Sequence, residues 1–187
     1  MGIRGNLDFS LFQDKRSKPL FDESLLLSNP QNIWDYADAN GYIRDSGGLW
    51  LKRFIEEKLK IKIIEKDLDQ ISGAITKNST GEWVILINSN NTVERRNFTL
   101  GHELGHYFLH REPFVDEETQ IFYRQEVHDD KEYAADRFAV ELLMPAAEVE
   151  KIVDGGITSI PELAKKFGVS PKAMFFRLKE LGYTVEE

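Results

Sequence analysis

The chain has 187 residues, 41% hydrophobic and 30% charged, a soluble, globular composition long enough for one domain with a buried core or one plus a small appendage. Cysteine is absent, which excludes disulfides and thiolate metal sites. No apolar run approaches the roughly 18 residues of a membrane helix, and Met1-Gly2-Ile3-Arg4-Gly5-Asn6 carries neither a signal-peptide core nor the Ser or Thr of a myristoylation signal, so a cytoplasmic protein without a membrane partner is expected.

Residues 1–48 are punctuated by Pro19, Pro30, Gly41 and Ser46-Gly47-Gly48 around short apolar pieces such as Leu25-Leu26-Leu27 and Ile33-Trp34-Asp35-Tyr36. They predict short helices at best, an arm or packing extension. Leu49 to Lys60 reads as an amphipathic helix with Trp50, Leu51, Phe54, Ile55 and Leu59 on its apolar side. Three β-rich segments follow, Ile61 to Ile64, Ile71 to Thr76 and Trp83 to Asn88, bounded by turn residues such as Asn78-Ser79-Thr80-Gly81. Trp83 to Ile87 lacks alternation, which places it at the centre of the sheet or buried on both faces. An edge of this sheet could pair with an extended peptide, or the sheet could be purely structural.

Asn91 or Thr92 can cap the next helix, which runs to His110. Within it lies Thr99-Leu100-Gly101-His102-Glu103-Leu104-Gly105-His106-Tyr107-Phe108-Leu109-His110. On a helix His102 and His106 stand one turn apart on one face, and Glu103 projects beside them. At about 100° per residue, Leu100, Leu104, Tyr107 and Phe108 fall on the other side, so one face packs and the other carries chemistry. Zinc accepts neutral imidazole readily, and a catalytic site keeps about three protein ligands so that water can take the fourth position. The carboxylate beside it can take a proton from that water and return it to a leaving amine. The pattern is the H-E-x-x-H of a zinc hydrolase, but two histidines on a helix by chance read the same way, so a third ligand has to be found.

The segment from Arg111 to His128 is long and holds Pro113 and Ile121-Phe122-Tyr123, as a lid or cleft wall would. Residues 111–136 carry nine acids against three bases within a net charge of −8, which would attract a basic partner or simply solvate a loop. Asp129 to Pro145 reads as a second helix stopped by its closing proline, on which Glu132, Ala135, Asp136, Ala139 and Leu143 share a face. Two alanines on that stripe, with Gly105 opposite, point to close approach of the two helices. Glu132 is then the candidate third ligand, and Asp136 a candidate acceptor for the far nitrogen of a ligating histidine. Asp129-x-x-Glu132 also fits a capping box, the competing role for Glu132. Tyr123, Tyr133, His110 and His128 are the candidates to stabilise an oxyanion; His110 could equally serve the carbonyls at its helix end.

From Thr158 to Leu181 the pattern is two short helices joined at Phe167-Gly168-Val169-Ser170, with Pro171 opening the second. Lys165, Lys166, Lys172, Arg177 and Lys179 give a helix-turn-helix outline. Ala173, Met174, Phe175 and Phe176 are poor readers of bases, however, so packing or partner binding is expected in preference to direct DNA binding. Ala164, Phe167, Val169, Phe175 and Leu178 would form the shared apolar face.

These motifs resemble the ImmA/IrrE metallopeptidases, a gluzincin-like group with His, His and Glu as ligands. The resemblance rests on Phe98 to His106 with Leu109-His110, on Glu132-x-x-Ala135-Asp136-x-Phe138-Ala139-x-Glu141-Leu142-Leu143-Met144-Pro145, and on Leu163-Ala164-x-x-Phe167-Gly168-Val169-Ser170 with Ala173, Arg177-Leu178 and Leu181-Gly182. It spans about residues 50 to 182, and Asp136 stands where Asn would be as usual. The resemblance favours Glu132 as ligand over cap. It implies an α+β zincin-like fold, a small β-sheet on a metal-binding helix with a helical C-terminal region, divided as an extension (1–48), a peptidase core (49–156) and the helical region (157–187). It also implies one Zn2+ per chain held by His102, His106 and Glu132, and Glu103 as catalytic base. The implied substrate is a helix-turn-helix transcriptional repressor of a bacterial stress-response, phage or mobile-element, or toxin-antitoxin system. The alternative is a non-proteolytic, repressor-binding regulator, anti-repressor or antitoxin-like, on the same fold.

Overall fold

A computed structural model describes residues 28–110 and 130–185. In chain order these form α1 (Pro30–Ala39), α2 (Leu51–Glu57), β1 (Lys62–Lys66), β2 (Gly73–Lys77), β3 (Trp83–Asn88), α3 (Val93–Leu109), α4 (Asp130–Leu143), α5 (Ala146–Asp154), α6 (Ile160–Phe167) and α7 (Pro171–Glu180). The α+β class and the small sheet are those expected from the sequence.

The strand without alternation is the central one. β3 pairs parallel with β1 and antiparallel with β2, and Val84, Ile85 and Ile87 are buried. At its end Asn88 turns inward, where its side-chain amide donates to the carbonyls of Asp69 and Ile71. That fixes the connection before β2 against the end of β3. Thr92, rather than Asn91, supplies the cap of α3, its Oγ1 accepting from the Arg95 N–H at 3.3 Å, an interaction worth about 1 kcal/mol. The helix then lies on the sheet through Leu100, Leu104 and Tyr107, all buried. Trp83 of β3 meets Tyr107 edge-on at 5.4 Å. Side chains of this kind contribute about 1.5–3 kcal/mol each on full burial.

Within the segment read as an extension, α1 is built into the core. Pro30 opens it, Asn29 caps it by accepting from the Gln31 N–H, and Ile33, Trp34 and Ala37 are buried. The Trp34 indole N–H donates to the Leu142 carbonyl at 2.6 Å. Tyr36 and Tyr42 close edge-on around Phe54 of α2. Helix α2 is shorter than its apolar pattern, and Trp50 corrects the expectation: it is the residue before the helix, outside the helical phase, and stays 47% exposed with the Arg44 guanidinium over its ring.

The C-terminal pair forms where the sequence places it. Gly168 ends α6 in the left-handed conformation (φ +68°), which a side chain would strain. Ser170 caps α7 by accepting from the Ala173 N–H. Leu163, Ala164, Phe167, Val169, Met174 and Leu178 are buried. Two expectations change. Met174, four residues before Leu178, takes the inward position assigned to Phe175, which sits half-buried beneath Lys179. Arg177 is buried rather than displayed, donating from Nε to the Met144 carbonyl at 2.9 Å and from its guanidinium to Glu180. Asn97 of α3 donates to the Gly168 carbonyl and ties the pair to the metal-motif helix.

Candidate metal centre

The site is made by two helices that touch backbone to backbone. A Cβ placed on Gly105 of α3 would stand 2.8 Å from Ala135 Cα and 3.0 Å from its carbonyl oxygen; on Gly101 it would stand 3.2 Å from Ala139 Cβ. A side chain at Gly105 would force the backbones apart, and one at Gly101 would be tighter than ordinary van der Waals contact. Small residues spaced by four on both helices therefore set the separation, and Ala135 and Ala139 are fully buried between them. Glu132, one turn before Ala135 and Asp136, is carried across to the histidine face.

Three side chains converge there. His102 Nε2 lies 3.0 Å from His106 Nε2, Glu132 Oε2 lies 3.2 Å from His102 Nε2, and Glu132 Oε1 lies 3.2 Å from His106 Nε2. Two ligands about 2.0–2.1 Å from one zinc ion in tetrahedral geometry stand about 3.3 Å apart, so this triangle has the dimensions of a single ion's coordination shell. The proton inventory agrees. Between the two facing nitrogens at most one proton fits, and Glu132 brings only acceptor oxygens. Nitrogen and carboxylate donors at these separations repel one another unless a cation or a proton lies among them, which is the chemistry of a metal-binding group.

The far side of each ring is held as well. His102 Nδ1 lies 2.8 Å from Asp136 Oδ1, so the carboxylate accepts the Nδ1 proton and leaves the Nε2 lone pair facing the triangle. His106 Nδ1 lies 3.1 Å from Nδ1 of His110, one turn further along the helix. Burial lowers the pKa of His110 from its ordinary value, with the nearby Lys131 charge adding to the effect, so the neutral ring is favoured. Glu103, between the two histidines in sequence, is 4% exposed and faces the protein interior rather than solvent.

Most of the expected residues meet. His102, His106, Glu132 and Asp136 form one cluster, and the Glu132 carboxylate is directed to the histidines. Asp129, its partner in the competing capping box, lies outside the described residues, as do Tyr123, His128 and the expected lid. Tyr133 is 68% exposed. The ring of His110 turns to His106 instead of to the helix-end carbonyls. The sequence reading missed that contact, although a spacing of four on a helix signals it.

A His-x-x-x-His helix on a small sheet, with a carboxylate delivered by a second helix, defines a zincin-like metallopeptidase fold. Residues 56–179, well over half the chain, match the family model of the IrrE N-terminal-like domain, peptidase family M78. The chain belongs to the ImmA/IrrE family. It is similar to Metallopeptidase ImmA of Bacillus subtilis (strain 168), 28% identical over 129 residues that cover 66% of this chain and 72% of that protein. A solved structure of a Mycobacterium tuberculosis transcriptional regulator matches at 17% identity with a TM-score of 0.46, covering 80% of this chain and 51% of that one. Among the described residues no helix is long and apolar enough to cross a membrane.

Proposed function

We propose that the protein is a zinc-dependent metallo-endopeptidase that hydrolyses peptide bonds in a protein substrate. The reading is carried by one observation, the convergence of His102 Nε2, His106 Nε2 and the Glu132 carboxylate at mutual distances of 3.0–3.2 Å on a helix that also bears Glu103. Bound zinc, held by those three side chains, would polarise a scissile carbonyl and make an attacking water acidic. Asp136 holds the His102 imidazole with Nε2 unprotonated. Glu103 takes the water proton as the carbonyl is attacked and delivers it to the leaving amine. Its burial keeps bulk water from competing for that proton.

Membership of the family supports a substrate class: a helix-turn-helix repressor in a bacterial stress-response, phage or mobile-element, or toxin-antitoxin setting. The test uses the purified full chain with the repressor encoded beside its gene. Glu103→Gln keeps shape and metal but removes the base; repressor fragments should appear with the parent and form at least about a hundredfold more slowly with the variant. Glu132→Ala should lose zinc. Full zinc stoichiometry in Glu132→Ala would return that residue to a helix cap, and equal inactivation of the repressor by parent and Glu103→Gln without fragments would make the protein a binding regulator.

A further inference from the structure

We propose that His110 is a positioning residue that fixes the tautomer and orientation of His106, doing for the second histidine what Asp136 does for the first. The inference rests on His106 being a metal ligand and goes beyond it, since it assigns a role to a residue outside the ligand set. His102, His106 and His110 follow one another at intervals of one turn, with ring centroids 4.6 and 5.2 Å apart. The Nδ1 atoms of His106 and His110 lie 3.1 Å apart, a hydrogen-bond distance, so one of them carries the proton between them.

The two alternatives have opposite consequences. With the proton on His106, its Nε2 keeps a lone pair directed at His102 and Glu132, the form a metal requires. With the proton on His110, His106 becomes the acceptor and its own proton moves to Nε2, into the space among His102 Nε2 and Glu132 Oε1, where it blocks a cation. A bound cation selects the first: two Nε2 atoms at 3.0 Å beside a carboxylate can both ligate it only when both rings are protonated on Nδ1. His110 is held beside the His106 ring because it caps the helix, its own N–H donating to the His106 carbonyl at 3.0 Å. One ring is therefore secured from across the helix pair by a carboxylate, and the other from the end of its own helix by an imidazole nitrogen.

The test separates this role from the metal reading. The chain has four histidines, few enough for a long-range proton-nitrogen spectrum of the 15N-histidine-labelled, zinc-loaded full protein to report each tautomer. With zinc on the Nε2 of His106, His110 should be the Nε2–H form, its Nδ1 accepting from His106; His110→Phe keeps a ring but removes that acceptor. Zinc affinity, measured by competition with a chromophoric chelator, should fall about 10–100-fold in His110→Phe. His110→Asn puts an acceptor oxygen where Nδ1 was and should recover most of that loss, with thermal unfolding confirming that both variants fold. An Nδ1–H tautomer of His110 in the zinc-loaded parent would overturn the proposal, as would parental zinc affinity in His110→Phe, or equal losses in the Phe and Asn variants. If His106→Ala binds zinc as tightly as the parent, the metal reading falls; zinc lost in His106→Ala but held at parental affinity in His110→Phe overturns the role of His110 alone.

Discussion

The molecule contains two helix pairs built on opposite principles. In α3 and α4 the contact is made by glycine and alanine, so the backbones meet and the long polar side chains beside the seam are forced together. In α6 and α7 the contact is made by Leu163, Phe167, Met174 and Leu178, so the helices stand apart on a filled apolar layer and their charges point outward, Arg177 excepted. Small contacts bring functional groups within reach of one another; large contacts supply stability. The difference explains how a site of half-buried imidazoles and carboxylates, which costs desolvation, is held in place by a neighbouring pair with almost no polar interior.

That contrast can be broken from either side. Phe167→Ala should be the most damaging change to the stability pair, costing about 3–5 kcal/mol in denaturant unfolding as a fully buried aromatic deletion. A cost below that of an ordinary surface change would remove the C-terminal pair from the core. Gly105→Ala attacks the close-contact pair; its Cβ meets Ala135 backbone, which cannot rotate away, so about 1–3 kcal/mol should be lost and zinc binding should weaken as Glu132 is pushed back. Unchanged metal affinity in that variant would show that the reach of Glu132 does not depend on the glycine.

Glu180 joins the two pairs. Burial raises its pKa, but hydrogen bonds from Arg137 of α4 and Arg177 of α7 outweigh it and hold the carboxyl below its ordinary value. A group with a depressed folded pKa contributes its stability in full above the unfolded pKa and loses it as pH falls through the folded one. Urea midpoints should therefore drop on acidification through and below the ordinary carboxylate range, by less in Glu180→Gln, and modestly because the side chain is partly solvated. The smallest effect belongs to the outward lysines. Lys165, Lys166 and Lys172 changed together to Ala should alter stability by no more than about 0.5 kcal/mol, and salt-sensitive duplex-DNA binding lost in that triple variant would make the segment a nucleic-acid reader after all.

What the sequence made legible follows the strength of local signals. His102, Glu103 and His106 declare themselves because one short spacing fixes both a helix face and a chemistry. The arrival of Glu132 could be read because Gly105, Ala135 and Ala139 announce a close crossing, and β3 announced its central place by lacking a polar face. Other features depend on partners far away in the chain. Nothing local to Trp34 tells that its indole will find Leu142, and the charge of Arg177 argues for the surface when its actual place is set by the Met144 carbonyl. Helix α5 follows Pro145 with only Val149 fully buried, too weak a stripe to stand out. Phe175 and Met174 are adjacent and both apolar, so the inward one is chosen by the geometry of packing alone.

The end of α4 has a consequence for motion. Carbonyls in a last helical turn lack intrahelical partners, and that turn is ordinarily the first to fray. Here the Leu142 carbonyl accepts from Trp34, 108 residues earlier, and the Met144 carbonyl accepts from Arg177, 33 residues later. The turn cannot open without releasing both α1 and α7. Amide protons of Leu142, Leu143 and Met144 should then exchange with solvent nearly as slowly as the central strand, opening only with the whole molecule, and Trp34→Phe should speed their exchange while the Arg177 bond still keeps it slower than at an ordinary helix end.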